Sequence, residues 1–193
     1  MIEKQIKFKI NNYNDFLNFL REKGAVFIGS AFEITKRYDN DKEALTKKNI
    51  YIRTRSGFKN VLTIKEKTTA NLNFNKYFER KTLEIEVEDL EKLEYALKIF
   101  GLKPILRMEK YRMVWKVNDI IFNIDELPFG IYLEIRGDNL PIEKILKLFN
   151  FQENQIIADT YWDIFKDLQN KNNYPNQKDI IFDKDFSFKI CKI

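Results

Sequence analysis

The chain contains no histidine and only one cysteine, and these shortages exclude several kinds of site. Without histidine there is no Ser-His-Asp or Cys-His nucleophile system and no imidazole ligand for zinc. Cys191 by itself allows neither a disulfide framework nor a thiolate metal cluster. Any metal ion must therefore be a hard cation held by carboxylates, with Mg²⁺ and Mn²⁺ as the first candidates.

Long hydrophobic runs are also missing from the sequence. No apolar stretch approaches the roughly 20 residues that a membrane-spanning helix needs, and the N-terminus lacks the apolar region of a signal peptide. We therefore expect no membrane partner and a cytoplasmic location.

Charged and aromatic residues are abundant. Of the 193 residues, 44% are hydrophobic and seventeen are phenylalanine, which is enough for one folded domain with a large core. A third of the residues are charged, and the net charge is +5. This excess favours anionic partners, although a solvated lysine-rich surface would give the same composition.

Three segments, 11–29, 86–105 and 137–152, contain the apolar spacing of amphipathic helices. Their predicted first and last positions are Asn12 or Asn14 with Gly24, Asp89 with Gly101, and Pro141 at the start of the third. Seven segments alternate between apolar and polar residues as strands do: 2–10, 49–57, 60–68, 77–88, 106–117, 119–127 and 130–137. Residues 56–60 and 117–120 are predicted hairpin turns. The fold class is α+β, with about eight antiparallel strands.

Each predicted strand has one apolar face and one face of mixed charges. In the second, for example, Arg53 and Arg55 share a face with Tyr51, and isoleucines lie opposite. The helices need the apolar strand faces as packing surfaces. If the helices pack on the outside of the sheet, the charged faces cannot also form its outer surface. A closed or nearly closed eight-stranded antiparallel β-barrel, with helices outside and charges inside, satisfies both requirements. An open sheet whose charged side faces solvent is the alternative.

The charged faces define a candidate site. Their basic residues are Lys7, Arg53, Arg55, Lys65, Arg80, Lys110 and Arg112, and their acidic residues are Glu3, Glu84, Glu86, Asp125 and Glu134. Arginine forks and lysine ammonium groups suit phosphate oxygens, and several together suit a polyphosphate. The acids would bind Mg²⁺ or Mn²⁺, or would hold the basic side chains in place.

The order of these residues resembles the CYTH family, the triphosphate tunnel metalloenzymes. The family includes class IV adenylyl cyclases, thiamine triphosphatases and inorganic triphosphatases. The motifs that carry the resemblance are Glu3-x-Gln5-x-Lys7, Arg53-x-Arg55, Lys65, Arg80 with Glu84 and Glu86, Lys110-x-Arg112, Asp125, and Glu134. The segments "IDELPFGIYLEIRG" and "DTYWDIF" also match family segments. The resemblance covers residues 1–168, so we expect a tunnel domain there and a docked C-terminal extension over residues 169–193.

The resemblance implies a divalent-metal-dependent phosphohydrolase acting on tripolyphosphate, a nucleoside triphosphate or thiamine triphosphate. It implies catalytic roles for Lys7, Lys110 and Arg112, and phosphate binding by Lys7, Arg53, Arg55, Lys65, Arg80, Lys110 and Arg112. Arg136, which shares a strand face with Glu134, is a further phosphate-binding candidate because of its charge. It assigns Glu3, Asp125 and Glu134 to Mg²⁺ or Mn²⁺, with Glu84 and Glu86 as further acids for a metal or for positioning a base.

Two departures from the family pattern keep alternatives open. Gln5 and Arg136 each stand where the family has an acid, which favours a weakly catalytic or non-catalytic triphosphate-binding protein. A class IV-type adenylyl cyclase, making cyclic AMP and pyrophosphate from ATP, is a further alternative. Nucleic acid is not an expected partner, because the basic residues face inward. The expected assembly is a monomer or a homodimer.

Overall fold

The structure is a computed structural model that describes residues 4–66, 81–137, 142–148, 151–171 and 174–190. The strands are β1 Lys4–Ile10, β2 Val26–Asp39, β3 Ile50–Ser56, β4 Val61–Glu66, β5 Lys81–Glu86, β6 Lys103–Val117, β7 Ile120–Leu127 and β8 Gly130–Gly137. The helices are α1 Tyr13–Glu22, α2 Ala44–Lys47, α3 Leu90–Ile99, α4 Ile142–Leu148 and α5 Tyr161–Asn170, with a 3₁₀ turn at Glu153–Gln155.

The eight strands form one sheet in the order β1-β8-β7-β6-β2-β3-β4-β5, and every neighbouring pair is antiparallel. The two end strands approach each other, because Gln5 of β1 and Glu84 of β5 line the same cavity. The sheet is therefore curled into a nearly closed barrel. The predicted fold, a closed or nearly closed eight-stranded antiparallel barrel with a few helices, is confirmed.

Both predicted hairpins are present. Residues 57–60 connect β3 to β4, and Asn118 with Asp119 connects β6 to β7. Asn118 has a φ of 50°, in the left-handed region that asparagine tolerates better than most residues. A third hairpin joins β7 to β8 through two residues, and this hairpin places Asp125 and Glu134 on adjacent strands.

Strand β2 is the element that the sequence analysis did not predict. It pairs with β3 along one edge and with β6 along the other, so it connects the two halves of the sheet. Its first residues, Val26, Phe27 and Ile28, are consecutive, apolar and exposed, and the pairing register shifts between Phe27 and Gly29. This bulge interrupts the period of two that identifies a strand.

The apolar outer face of β1, β6, β7 and β8 is covered by α1, as the predicted helical packing requires. Phe16, Leu17 and Leu20 of the helix are buried in one cluster with strand residues such as Phe8 and Ile124. Each fully buried side chain of this size stabilises the fold by about 1.5–3 kcal/mol. The first helix ends before Gly24, and Asp89 caps α3 by accepting a hydrogen bond from the Lys92 amide, both as predicted.

A second cluster fills one end of the barrel interior. Tyr132 and Leu127 project inward there, because they lie two residues from Glu134 and Asp125 on the same strands. Tyr161 and Phe165 of α5 and Ile180 pack against them, and all five side chains are buried. This end of the interior is therefore apolar and covered by α5.

The described part of the C-terminal segment, 174–190, contacts the barrel at two places. The Ile180 amide donates to the Arg107 carbonyl at 2.9 Å, and the Glu109 amide donates to the Ile180 carbonyl at 2.7 Å. The Glu126 carboxylate accepts hydrogen bonds from the amides of Lys189 and Ile190 at 2.9–3.0 Å. The division of the chain after residue 168 stays a prediction, and Cys191 lies outside the described residues. Among the described helices, none is long and apolar enough to cross a membrane.

Candidate active site

The barrel interior contains a cavity of about 700 Å³, a volume typical of sites that enclose a nucleotide-sized ligand. The described lining includes nine basic side chains, Lys7, Arg37, Arg53, Arg55, Lys65, Arg107, Lys110, Arg112 and Arg136. It includes three acidic side chains, Glu84, Glu134 and Asp163. Such a surplus of positive charge inside a barrel favours a polyvalent anion.

Most of the predicted site residues meet at this cavity. The lining contains Lys7, Arg53, Arg55, Lys65, Glu84, Lys110, Arg112, Glu134 and Arg136, and Asp125 lies buried next to Lys110 and Arg112. Glu86 is not brought to the cavity, since it is 69% exposed and forms an ion pair with Lys59. Glu3 and Arg80 lie outside the described residues. The roles assigned to all these residues stay predictions.

Asp125 and Arg112 form the centre of the charged interior, and they are direct neighbours in the β6–β7 register. Arg112 Nε donates to Asp125 Oδ1 at 2.6 Å, and Arg112 Nη2 donates to Asp125 Oδ2 at 2.5 Å and to Glu134 Oε2 at 2.7 Å. Burial by itself would lower the pKa of Arg112 and raise that of Asp125. Burial is the largest single influence on each group, but the opposite charges around it together outweigh it. Asp125, Glu134 and Glu33 hold the Arg112 pKa well above its ordinary value, and Arg112 with Lys110 holds the Asp125 pKa well below.

Lys110 is held between two acids on neighbouring strands. Its Nζ donates to Asp125 Oδ2 at 3.0 Å and lies 3.3 Å from Glu33 Oε2. Burial would raise the Glu33 pKa, but Lys110 and Arg112 keep it below its ordinary value. Glu33 is not among the predicted site residues, because the alternation of the sequence does not reveal β2 as a strand. Once β2 is known, the positions Glu33, Thr35 and Arg37 alternate in the same way as the other charged faces.

Lys7 and Tyr161 close the cavity on the side of α5. Lys7 Nζ donates to the Asp159 carbonyl at 2.7 Å and lies 4.1 Å from the centre of the Tyr161 ring. Tyr161 OH donates to Asp125 Oδ2 at 2.9 Å. Burial and the nearby carboxylates raise the pKa of Tyr161, so this hydroxyl stays a donor. Tyr161 belongs to the quoted "DTYWDIF" segment, but the sequence pattern did not assign it a site role.

Arg53 and Arg55 form the opposite wall with Glu84. Arg53 Nη2 lies 3.8 Å from Glu84 Oε1, which also accepts from the Thr63 hydroxyl at 3.3 Å. Burial, with a further contribution from Arg55, lowers the pKa of Arg53 to about 10. Arg53 Nε is buried and has no hydrogen-bond acceptor among the described residues. A bound anion would supply that acceptor and would offset the repulsion between the two arginines.

Gln5 and Arg136, the two departures from the family pattern, are direct neighbours in the β1–β8 register and both line the cavity. The side-chain oxygen of Asn123, in the amide orientation that its neighbours require, accepts from Arg136 Nε at 2.9 Å and from Nη2 at 3.0 Å. Asn123 thus orients the guanidinium along the wall. A neutral and a basic side chain therefore share the place where the resemblance leads us to expect two acids.

The described acids do not fit a metal ion. Within the described ranges, no three acidic side chains come together in a group that could hold one. Asp125 accepts hydrogen bonds from Lys110, Arg112 and Tyr161, and Glu134 accepts one from Arg112. Asp125 is therefore fully engaged by donors, and Glu134 has one oxygen bonded to Arg112 and the other 3.9 Å from Lys7 Nζ. The third predicted ligand, Glu3, lies outside the described residues.

Comparisons with known proteins agree with this architecture. A family model described as the CYTH domain matches residues 1–171. A Methanocaldococcus jannaschii protein named as a putative adenylate cyclase is 26% identical over 176 residues, which are 85% of this chain and 98% of that protein.

Three solved structures share the fold. A putative adenylate cyclase from Vibrio parahaemolyticus has a TM-score of 0.73 at 16% identity, covering 86% of this chain and 98% of the other. A Pyrococcus horikoshii protein has a TM-score of 0.67 at 21% identity, with the same coverage. A putative adenylyl cyclase from Hippeastrum, described as having a dominant triphosphatase activity, has a TM-score of 0.60 at 13% identity, covering 86% and 95%. With the family model matched over residues 1–171, this chain belongs to the CYTH family.

Proposed function

We propose that this protein is a phosphohydrolase that cleaves a triphosphate inside its basic cavity. The observation that carries the proposal is that, among the described residues, nine basic side chains and three acidic ones line one cavity. A triphosphate presents many anionic oxygens close together, which several arginines and lysines around one cavity can contact at once. The triphosphatase activity described for the Hippeastrum relative supports the same choice.

The residues suggest how cleavage proceeds. Arg53 and Arg55 bind phosphate oxygens from one wall, while Lys110 and Arg112 bind them from the other. A water oxygen forms a bond to the terminal phosphorus as the bridging P–O bond breaks, and negative charge moves to the leaving diphosphate. The proton that the water loses goes to an oxygen of the transferred phosphate, so the products are orthophosphate and a diphosphate. Fixed cations such as Lys7 stabilise that charge without reorganising, because the folded barrel already holds them.

CYTH enzymes are generally dependent on a divalent metal, and Mg²⁺ or Mn²⁺ was the cofactor expected from the resemblance. A bound cation of this kind would supply additional stabilisation of charge on the phosphates. The described acids do not form a site for it, so the steps above assign chemistry only to the side chains of this chain.

A product assay tests the proposal and separates it from the cyclase alternative, which the name of the Methanocaldococcus jannaschii relative favours. The protein is incubated with tripolyphosphate, ATP, GTP and thiamine triphosphate, with Mg²⁺ or Mn²⁺, and both orthophosphate and pyrophosphate are measured. Orthophosphate release that is lost in Lys110→Met supports the hydrolase. Pyrophosphate with cyclic AMP would replace the proposal by the cyclase. Tight binding with no product would identify a non-catalytic binding protein.

We expect the affinity for triphosphate to depend on pH because of Lys7. Burial lowers the pKa of Lys7, so its ammonium loses the proton at a lower pH than an exposed lysine does. A bound triphosphate favours the charged form, so affinity should fall as the pH rises through that lowered pKa, and binding there should take up a proton. Calorimetry in two buffers with different ionisation enthalpies measures this uptake. Lys7→Arg stays charged and should abolish the uptake. Equal proton uptake by both proteins would contradict the assignment.

A further inference from the structure

We propose that this chain binds its triphosphate as the metal-free anion, because its interior acids serve as counter-ions for its own basic residues. The inference rests on the proposed function, since it concerns the form of the same ligand in the same cavity. It differs from what the family resemblance implies, in which the acids at these positions hold a divalent cation.

Asp125 is already fully bonded to groups of the protein. This carboxylate is 0% exposed, and both of its oxygens accept hydrogen bonds from Arg112, with Lys110 and the Tyr161 hydroxyl adding to one of them. A metal ion would have to displace two cationic donors that are themselves buried. Leaving those charges without a partner is strongly unfavourable in a buried site.

Glu134 and Glu33 also face these cations, Glu134 through a hydrogen bond and Glu33 through ion pairs, since its buried Oε2 has no hydrogen-bond donor among the described residues. Glu134 Oε2 accepts from Arg112 Nη2 at 2.7 Å, and Glu134 Oε1 lies 3.9 Å from Lys7 Nζ. Glu33 Oε2 lies within 4 Å of both Lys110 and Arg112. All three acids lie within 4 Å of Arg112, Asp125 and Glu33 also lie near Lys110, and Glu134 lies near Lys7, so their negative charges are directed at basic side chains of the chain itself. This arrangement fixes the cations in position, which is what a preformed anion site requires.

Gln5 and Arg136 stand where the family resemblance implies two acids. These neighbours present an amide and a guanidinium to the cavity, and Asn123 holds the guanidinium. Among the described residues, nine basic groups face five acidic ones even when the buried Glu33 and Asp125 are counted with the three lining acids. The described interior therefore balances several negative charges of a polyphosphate without any added cation.

A direct consequence concerns Mg²⁺ in solution. Magnesium neutralises part of the polyphosphate charge and occupies oxygens that the arginines and lysines would otherwise contact. We therefore expect Mg²⁺ to weaken binding by about tenfold, the equivalent of one hydrogen bond to a charged group. A site that needs the metal would show the opposite, with affinity present only when Mg²⁺ is added.

The test is isothermal titration calorimetry of the full chain with tripolyphosphate, once with EDTA and once with excess Mg²⁺, with orthophosphate release measured in parallel. Tighter binding with EDTA supports the inference. Binding that requires Mg²⁺ overturns it and leaves the proposed function standing. The absence of binding under both conditions would overturn the proposed function as well.

A double variant gives a second, independent measurement. Gln5→Glu with Arg136→Glu changes the cavity charge by −3. This double variant should bind tripolyphosphate at least tenfold more weakly in the presence of EDTA. It should also bind Mn²⁺ measurably without any substrate. Asn18→Asp with Lys144→Glu makes the same charge change at exposed positions of α1 and α4 and serves as the matched control. Thermal unfolding of both variants verifies that they fold. Mn²⁺ binding by the unchanged protein at the strength of the double variant would contradict the inference.

Discussion

Asp125→Asn is expected to lower the free energy of unfolding by about 3–5 kcal/mol, the usual penalty for removing one partner of a buried ion pair. Asparagine has nearly the same shape as aspartate, so the barrel keeps its packing and loses only the negative charge. Arg112 and Lys110 would then stay buried with weaker acceptors, although Glu134 and Glu33 still lie near them. Denaturant unfolding monitored by fluorescence measures the change.

The control for this variant is an exposed ion pair. Asp167 accepts from Lys171 at 2.7 Å, and both side chains are more than half exposed. Asp167→Asn should therefore change the stability by less than about 1 kcal/mol. If the two aspartate substitutions had equal effects, the ion pair between Asp125 and Arg112 would not be a main contributor to stability.

The same pair gives a pH dependence with a defined sign. The pKa of Asp125 is lower in the folded chain than in the unfolded chain, because Arg112 and Lys110 outweigh its burial. The resulting stabilisation is fully present above the ordinary aspartate pKa and is lost as the pH falls through the lowered one. The stability difference between wild type and Asp125→Asn should therefore shrink on acidification.

The sequence predicted the inner face of the barrel well, and the physical reason is the period of two. Once Arg53 is placed inside, Arg55 and Tyr51 must follow, and the same rule places Lys110 with Arg112 and Glu134 with Arg136. The helices provided the second constraint, because they cover the apolar faces. The alternation of the strands and the packing of the helices therefore both indicated a nearly closed sheet.

Features that depend on pairing between distant strands could not be predicted in this way. Strand β2 was missed because three exposed apolar residues and a bulge disrupt its alternation. Glu33 was missed with it. The pattern also could not show that Asp125 is saturated by donors, since Lys110, Arg112 and Tyr161 come from two elements separated along the chain. The donors that reach a buried acid are determined by the pairing register of the strands and by the position of α5. The alternation within a single strand predicts neither.

Glu86 shows that alternation along a strand is not sufficient to predict which residues line the cavity. It lies on the same face of β5 as Glu84, two residues away, and both were predicted to face the interior. Glu84 contacts the Arg53 wall, whereas Glu86 is near the end of the strand and pairs with Lys59 at the surface. A face of a strand belongs to the cavity only along the part that the barrel encloses.

Arg53→Ala and Arg55→Ala are each expected to weaken triphosphate binding by about 1.5–3 kcal/mol, the range for a hydrogen bond to a charged group. For Arg53 the structure adds a reason, since its buried Nε has no acceptor among the described residues and would gain one from a phosphate oxygen. Removal of either arginine already relieves the repulsion between the pair. The affinity lost by the double variant should therefore be smaller than the sum of the losses in the two single variants. Titration calorimetry with tripolyphosphate measures both variants and the double variant.

Lysine replacements separate charge from geometry at the same positions. Arg53→Lys and Arg55→Lys restore the positive charge but not the planar fork that contacts two oxygens at once, so they should recover only part of the lost affinity. Arg21→Ala, which removes an exposed guanidinium on α1, is the matched control and should bind as wild type does. Full recovery by lysine would mean that the wall acts through charge only. Unchanged affinity in both alanine variants would remove this wall from the phosphate site, and the anion would then have to be held by Lys7, Lys110 and Arg112 without it.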